Sequence, residues 1–322
     1  MRRRQRMAAA TAIAVSIFII AAAGCSKKPA KEVEKENDRI VVVTSIFPLA
    51  DIIMQVGGEH VDVRFLVQPG QSPHTYEPLP ADMKVLSDAD IVALVGFGFE
   101  FWADKMLSSV QNKNVKKIQF SDHVKPIMGE AREREDEHES EHEGEGGHEH
   151  GLVANPHYWL SPKRAMIVAS VIRGALIEKS PENSGYFSEK ADDYILELKK
   201  LDGEMMVHSK AFAGKKFIAF HSAWDYMAKD YGLEQAGVIQ EFPGKEPAPE
   251  QLARIVDKAR ETKAKAIFAE PQLNSKTADV IAKEAGIKVA ILDPLGGPGV
   301  PGRDSYLKLM RYNLGEMRKA LR

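Results

Sequence analysis

The chain has 322 residues, 44% of them hydrophobic, with 44 Lys and Arg against 46 Asp and Glu. That length and apolar content suffice for two domains with cores of their own. A net charge of −2 without a basic stripe excludes nucleic acid as a partner. The single cysteine, Cys25, excludes an internal disulfide.

Residues 1–24 read as a processing segment rather than as structure. Arg2, Arg3, Arg4 and Arg6 make a basic start, and Met7 to Ala23 form an apolar run rich in small residues. The run is short and ends in "AAGC" before a polar Lys/Glu stretch, which is the pattern of an export signal. It resembles a bacterial lipoprotein signal, with Ala22 where leucine is usual and Cys25 as the residue that would carry lipid. The plainer alternative is a cleaved secretory signal with an incidental cysteine. Removing residues 1–24 takes away four arginines and no acids, so the remaining chain carries −6. Residues 25–38 show no hydrophobic period and read as a tether.

Folded sequence starts at "RIVVVTSIFPLADIIMQVGG": an apolar strand over Ile40–Thr44, a turn, and a helix stopped by Gly57-Gly58. "HVDVRFLVQPG" predicts a second strand, and "LPADMKVLSDADIVALVGFG" a helix followed by a third. Phe97, Phe99, Phe101 and Trp102 then pack near a cleft or a core. Strands alternating with helices predict a parallel sheet covered on both faces.

At about 130–151 an acidic, histidine-rich segment interrupts the rhythm; residues 130–150 hold ten acids and two arginines. Beyond it, "SPKRAMIVASVIRGALIEKSP" predicts a helix capped by Ser161, with Pro162 at its first position. A long amphipathic stretch over 183–212 follows, about 45 Å as one helix, which is longer than one lobe needs. The strand–helix rhythm then restarts in "KKFIAFHSAWDYMAKDYG", "PAPEQLARIVDKARETKAKAIFAEP" and "SKTADVIAKEAGIKVAILDPLGG". The predicted organisation is an N-terminal α/β lobe over 39–182, a linking helix over 183–212 and a C-terminal α/β lobe over 213–322. A ligand cleft lies between the lobes.

Candidate metal ligands gather where such sheets bind ligands, beyond the carboxyl ends of their strands. His74 lies in a loop after the second strand, His157 in a loop before a helix, and His221 closes "FIAFH". Glu270 in "IFAEP" and Asp293 in "AILDP" occupy equivalent strand ends. Imidazole suits borderline cations, zinc above all, and three imidazoles with one carboxylate complete a tetrahedron. Taken singly, each of these residues has a plainer use as a satisfied polar group, and an Asp before Pro is commonly a turn residue. Their conjunction at one edge carries the expectation of a metal site between the lobes. Trp159 and Trp224, each near a proposed ligand, could wall off water, and core packing explains them equally well. His60, His123 and His208 read as surface residues.

In order along the chain, "PHTYEP", "NPHYWLSP", "FHSAWDYMAKDYG", "FAEPQ" and "DPLGG" resemble the metal-binding solute-binding proteins of bacterial zinc and manganese ABC transporters. Some members of that family are lipoproteins called adhesins. The resemblance runs from about Ile40 to the C-terminus. It implies two lobes bridged by a long helix, with ligands at His74, His157, His221 and Asp293. Glu270 is then an alternative or supporting carboxylate, ranked after Asp293. Manganese-binding members tend to carry Glu at the third position, so His221 leans to Zn²⁺ over Mn²⁺. The expectation is an exported, monomeric, lipid-anchored protein that hands zinc to a membrane permease. A surface-adhesion role is the further alternative.

His138-Glu139-Ser140-Glu141-His142 spells H-E-x-x-H, the zinc-hydrolase pattern, which needs a buried rigid helix. Its flanks, "EREDE" and "EGEGG", are too polar and too rich in glycine to supply one, so no enzyme is expected. His138, His142, His148 and His150 read instead as an accessory zinc collector or sensor, with a plain solvated charge run as the other reading.

Overall fold

Ile40–Thr44 is rich in β-branched residues and almost wholly buried, and it forms the central strand β1 of the first sheet. In the computed structural model the structure describes residues 39–110, 112–130, 152–240 and 247–322. After β1 come α1 (Phe47–Gly57), β2 (Val61–Phe65), α2 (Pro80–Ser87), β3 (Ile91–Leu94), α3 (Ala103–Ser109) and β4 (Lys116–Gln119). The order β2-β1-β3-β4, all parallel, reverses direction at β1 and β3. That reversal opens a crevice at their carboxyl ends.

Two short strands, β5 (Met128–Glu130) and β6 (Leu152–Ala154), then pair antiparallel, with Glu130 opposite Leu152. The histidine-rich segment leaves and re-enters the fold across this hairpin. Signal, tether, Cys25 and the histidines at 138, 142, 148 and 150 lie outside the described residues.

The long helices follow: α4 (Pro162–Lys179) and α5 (Ser184–Ser209). With 26 residues, α5 is about 39 Å long. Phe187, Ala191, Tyr194, Leu198, Leu201 and Met205 form its buried stripe, spaced at three and four residues as one helix face requires. This stripe packs on α1 and α4 of the first lobe and on helices of the second.

The second lobe runs β7 (Lys216–Ala219), α6 (Asp225–Tyr231), β8 (Glu234–Val238), α7 (Pro249–Thr262), β9 (Ala266–Ala269), α8 (Lys276–Ala285), β10 (Lys288–Ile291) and α9 (Tyr306–Ala320). Its parallel sheet has the order β10-β9-β7-β8, with the reversal at β7 and β9. One apolar core runs from the first sheet through α4 and α5 to the near face of the second. Ile218, Phe220, Ile267 and Ile281 belong to a separate core on the far face of the second sheet.

Two expectations change in detail. Ser161 occupies the position before α4, yet its hydroxyl makes no cap; it donates to Asp230 at 2.5 Å. Asp230 belongs to α6 of the other lobe, and Arg164 also reaches it, at 3.3 Å. A serine that reads as a local helix signal is therefore a link between lobes. The predicted linking helix over 183–212 spans Ser184–Ser209.

Candidate metal centre

Each histidine of interest is delivered by a loop beyond a strand end. His74 sits in a one-turn helix, Pro73–Thr75, in the loop between β2 and α2. His157 lies between β6 and the turn Tyr158–Leu160. His221 lies two residues past β7, where the second sheet reverses direction. His74 is half-buried, and His157 and His221 are buried.

Their rings converge. His157 Nε2 is 3.1 Å from His74 Nε2 and 3.2 Å from His221 Nε2, and the three donor atoms all lie within 4.8 Å of one another. Two zinc–nitrogen bonds of about 2.0–2.1 Å at a tetrahedral angle would place their nitrogens about 3.3 Å apart. The set is therefore nearly spaced for one ion. Burial, and after it the His221 and His74 rings, hold His157 well below the usual histidine range. A neutral imidazole, as a ligand must be, is thus its resting form at neutral pH.

The walls are apolar and rigid. Trp159 is fully buried, with its ring centroid 5.3 Å from that of His157, and its indole N–H donates to the Pro294 carbonyl across the cleft at 2.9 Å. Phe99 meets His74 edge-on at 5.3 Å. Phe99 is placed by Glu100, a buried carboxylate that accepts from Ser45 Oγ at 2.5 Å and from the Val95 and Gly96 amides at 2.9 and 3.0 Å. Glu100 so ties the ends of β1 and β3. Gly96 has φ +85°, and a Cβ there would fall 2.1 Å from Ser121 Oγ, so the turn admits no side chain. Trp102 packs on Tyr76, Phe101 is 52% exposed, and Trp224 is buried. His60 and His208 are partly exposed and His123 is exposed, all outside the cluster.

The two carboxylates separate in use. Glu270 is buried beside His221 and takes its Nδ1 at 2.5 Å, which turns Nε2 toward the other imidazoles. Asp293 is equally buried, but its oxygens are occupied. Oδ1 accepts from Gln272 at 2.9 Å and from the Leu295 and Gly296 amides at 3.0 Å, and Oδ2 accepts from Arg303 at 2.9 Å. In this metal-free arrangement Glu270 touches the histidine cluster through His221 Nδ1, whereas Asp293 anchors a turn. The physical reason is Arg303, ten residues downstream, whose charge no strand-end pattern reveals. The cleft is lined by the three histidines, Glu270, Trp159 and Leu295, among others, and Asp293 is not part of that lining. Its free volume, about 10 Å³, suits one ion or water.

One supporting residue has no sequence signal beyond its nearness to His157. Asn155, directly after β6, contacts both His157 and the residue that follows His221.

Fold and site together define a two-lobed binding protein with a cation-sized pocket in its cleft. The chain belongs to the family described as zinc-uptake complex component A, periplasmic, whose model matches residues 42–320. It is 32% identical over 295 residues to the zinc-binding protein AdcA of Streptococcus pyogenes, covering 90% of this chain. The chain spans 57% of the length of that relative. It is 30% identical over 312 residues to the high-affinity zinc uptake system protein ZnuA of Bacillus subtilis, covering 96% of both chains. A crystal structure of a ZnuA deletion mutant with zinc bound matches with TM-score 0.72 and 30% identity, covering 88% of this chain and 98% of that one.

Proposed function

We propose that this protein captures Zn²⁺ outside the cytoplasm and hands it to the membrane permease of an ABC-type uptake system. The ion binds to the Nε2 atoms of His74, His157 and His221. Glu270 backs His221, and the remaining position is left to water or to a carboxylate freed from its present partners. The observation that carries the reading is the convergence of three imidazole nitrogens, two of the separations being 3.1 and 3.2 Å. Imidazole sets suit zinc, whereas manganese prefers oxygen-rich ones.

The relatives named for zinc binding and zinc uptake support the choice of metal. The zinc-bound deletion mutant supports a site that stands without part of its chain. Binding and release fit a pocket whose tightest part, about 10 Å³, has room for one ion. Export and tethering rest on residues 1–38, with lipid on Cys25 and the lobes outside the membrane as a monomer. No helix among the described residues is long and apolar enough to cross a membrane.

The test is metal analysis of protein purified without added metal, followed by competition between zinc and manganese. Zinc retained, and not displaced by a hundredfold excess of manganese, is expected. Preferential manganese binding would overturn the choice of metal, and the absence of any tight divalent binding would overturn the function.

A further inference from the structure

The side-chain amide of Asn155 lies between two of the proposed ligands. Its Oδ1 is 2.9 Å from the His157 backbone nitrogen and 2.9 Å from His157 Nδ1. Its Nδ2 is 2.7 Å from the Ser222 carbonyl and 2.7 Å from Asp225 Oδ2. The orientation of this amide follows from its neighbours. A backbone N–H can only donate and a backbone carbonyl can only accept, so the oxygen must face His157 and the nitrogen must face Ser222. An amide oxygen has no proton to give. The hydrogen bond at His157 Nδ1 therefore requires the proton on Nδ1 and leaves the Nε2 lone pair bare. That bare nitrogen is the one facing His74 and His221 at 3.1 and 3.2 Å.

We infer that Asn155 is the positioning residue of the site: it locks His157 in its Nδ1–H tautomer and, through Ser222, fixes the spacing between His157 and His221. The inference rests on the zinc-binding reading and deepens it. Asn155 lies directly beyond β6 in the first lobe, whereas Ser222 and Asp225 lie between β7 and the start of α6 in the second. One amide thus spans the cleft just behind the metal position. The Tyr226 hydroxyl holds the same segment by donating to the Asn155 carbonyl at 2.8 Å. The Asn155 backbone N–H donates to the Ile127 carbonyl at 2.8 Å, next to β5. Backbone and side chain are both constrained, so the amide has one orientation to offer.

The two buried imidazoles are supported differently. His221 has a carboxylate at Nδ1, and His157 has a neutral amide. Asn155→Ala would leave His157 free to move its proton to Nε2, where it blocks the metal. Loss of such a supporting partner weakens metal binding by about 10- to 100-fold. Asn155→Asp keeps the acceptor but sets a second carboxylate against Asp225. The exchanged pair, Asn155→Asp with Asp225→Asn, restores an acceptor for His157 and a donor between the two side chains, but it leaves the Ser222 carbonyl without its donor.

The experiment uses the full chain with ¹⁵N-labelled histidine and its metal removed. Imidazole ¹⁵N spectra at pH 8 report the tautomer of His157, assigned by its loss in His157→Gln, and zinc titration reports affinity. The parent should show one tautomer with the proton on Nδ1. Asn155→Ala should show both tautomers and bind zinc 10- to 100-fold more weakly. The exchanged pair should recover the single tautomer but only part of the affinity, because the bond to the Ser222 carbonyl is lost. A parent spectrum with the proton on Nε2 would overturn the inference, as would Asn155→Ala with both tautomer and affinity unchanged. If Asn155→Ala does not fold, the exchanged pair decides: an exchanged pair that folds without recovering the tautomer also overturns it. A parent that fails to bind zinc would instead refute the proposed function, because the tautomer is read in metal-free protein.

Discussion

Arg303 donates to Asp293 Oδ2 at 2.9 Å, and both side chains are largely withdrawn from water. The guanidinium also lies over the Tyr312 ring, 4.7 Å from its centroid. With three further donors on Oδ1, the carboxylate is a structural anchor for the turn that carries Pro294 and Leu295 into the cleft wall. Coordinating a metal would require it to leave a buried network of four donors. Asp293→Asn is therefore expected to lower stability by about 3 kcal/mol, the low end for breaking a buried ion pair. Zinc affinity should change less than about tenfold. Urea unfolding and zinc titration of the same variant check both halves, and a collapse of zinc binding would make Asp293 a ligand.

Glu270→Gln tests the other carboxylate. Gln keeps an oxygen for the His221 Nδ1–H and removes the negative charge that makes the imidazole a better donor to a cation. Zinc should bind about 10- to 100-fold more weakly, with the fold intact by circular dichroism. An unchanged affinity would mean that Glu270 is a bystander.

His157 gives a prediction about pH. The unfolded chain takes up a proton at this side chain near pH 6.5, whereas the folded chain resists protonation to well below that value. Below pH 6.5 the unfolded state thus holds more protons, and the contribution of His157 to stability, fully present above that pH, is lost as pH falls. Urea unfolding of metal-free protein between pH 7.5 and 5 should show a steeper loss in the parent than in His157→Gln. Equal slopes would contradict the buried, neutral imidazole.

The histidine-rich segment departs and returns across the paired residues Glu130 and Leu152. The fold therefore needs only a turn to close that gap. Deleting residues 133–150 should leave one tight zinc site and remove only weaker binding, which zinc titration with and without the segment would show. Loss of the tight site would make those histidines the primary ligands.

Much of this was legible in advance because local pattern and tertiary position coincide. The apolar run of β1 and the three-and-four spacing of α5 are complete within their own residues. His74, His157 and His221 were found because loops beyond the strand ends converge in such sheets. What escaped depends on partners distant in sequence. Ser161 reads as a cap until Asp230 arrives from 69 residues away to take its hydroxyl. The ion pair that Asp293 makes with Arg303 likewise has no signal in the strand-end pattern. Neither β5 nor β6 has enough residues to show a period, and Asn155 is legible only as the first residue of "NPHYWLSP", which gives it no role of its own. The short β4 and β8, and α3 and α9, were likewise not anticipated.

The central claim is that three imidazoles hold one zinc ion between the lobes, and calorimetric titration of metal-free protein tests it most directly. The parent should bind one zinc ion tightly, and at a hundredfold excess over the dissociation constant the ion should add about 2.7 kcal/mol of stability. Each of His74→Ala, His157→Ala and His221→Ala should lose more than about a hundredfold in affinity, beyond what removing a supporting residue costs. A folded His221→Ala or His157→Ala variant that binds zinc as tightly as the parent would contradict the account.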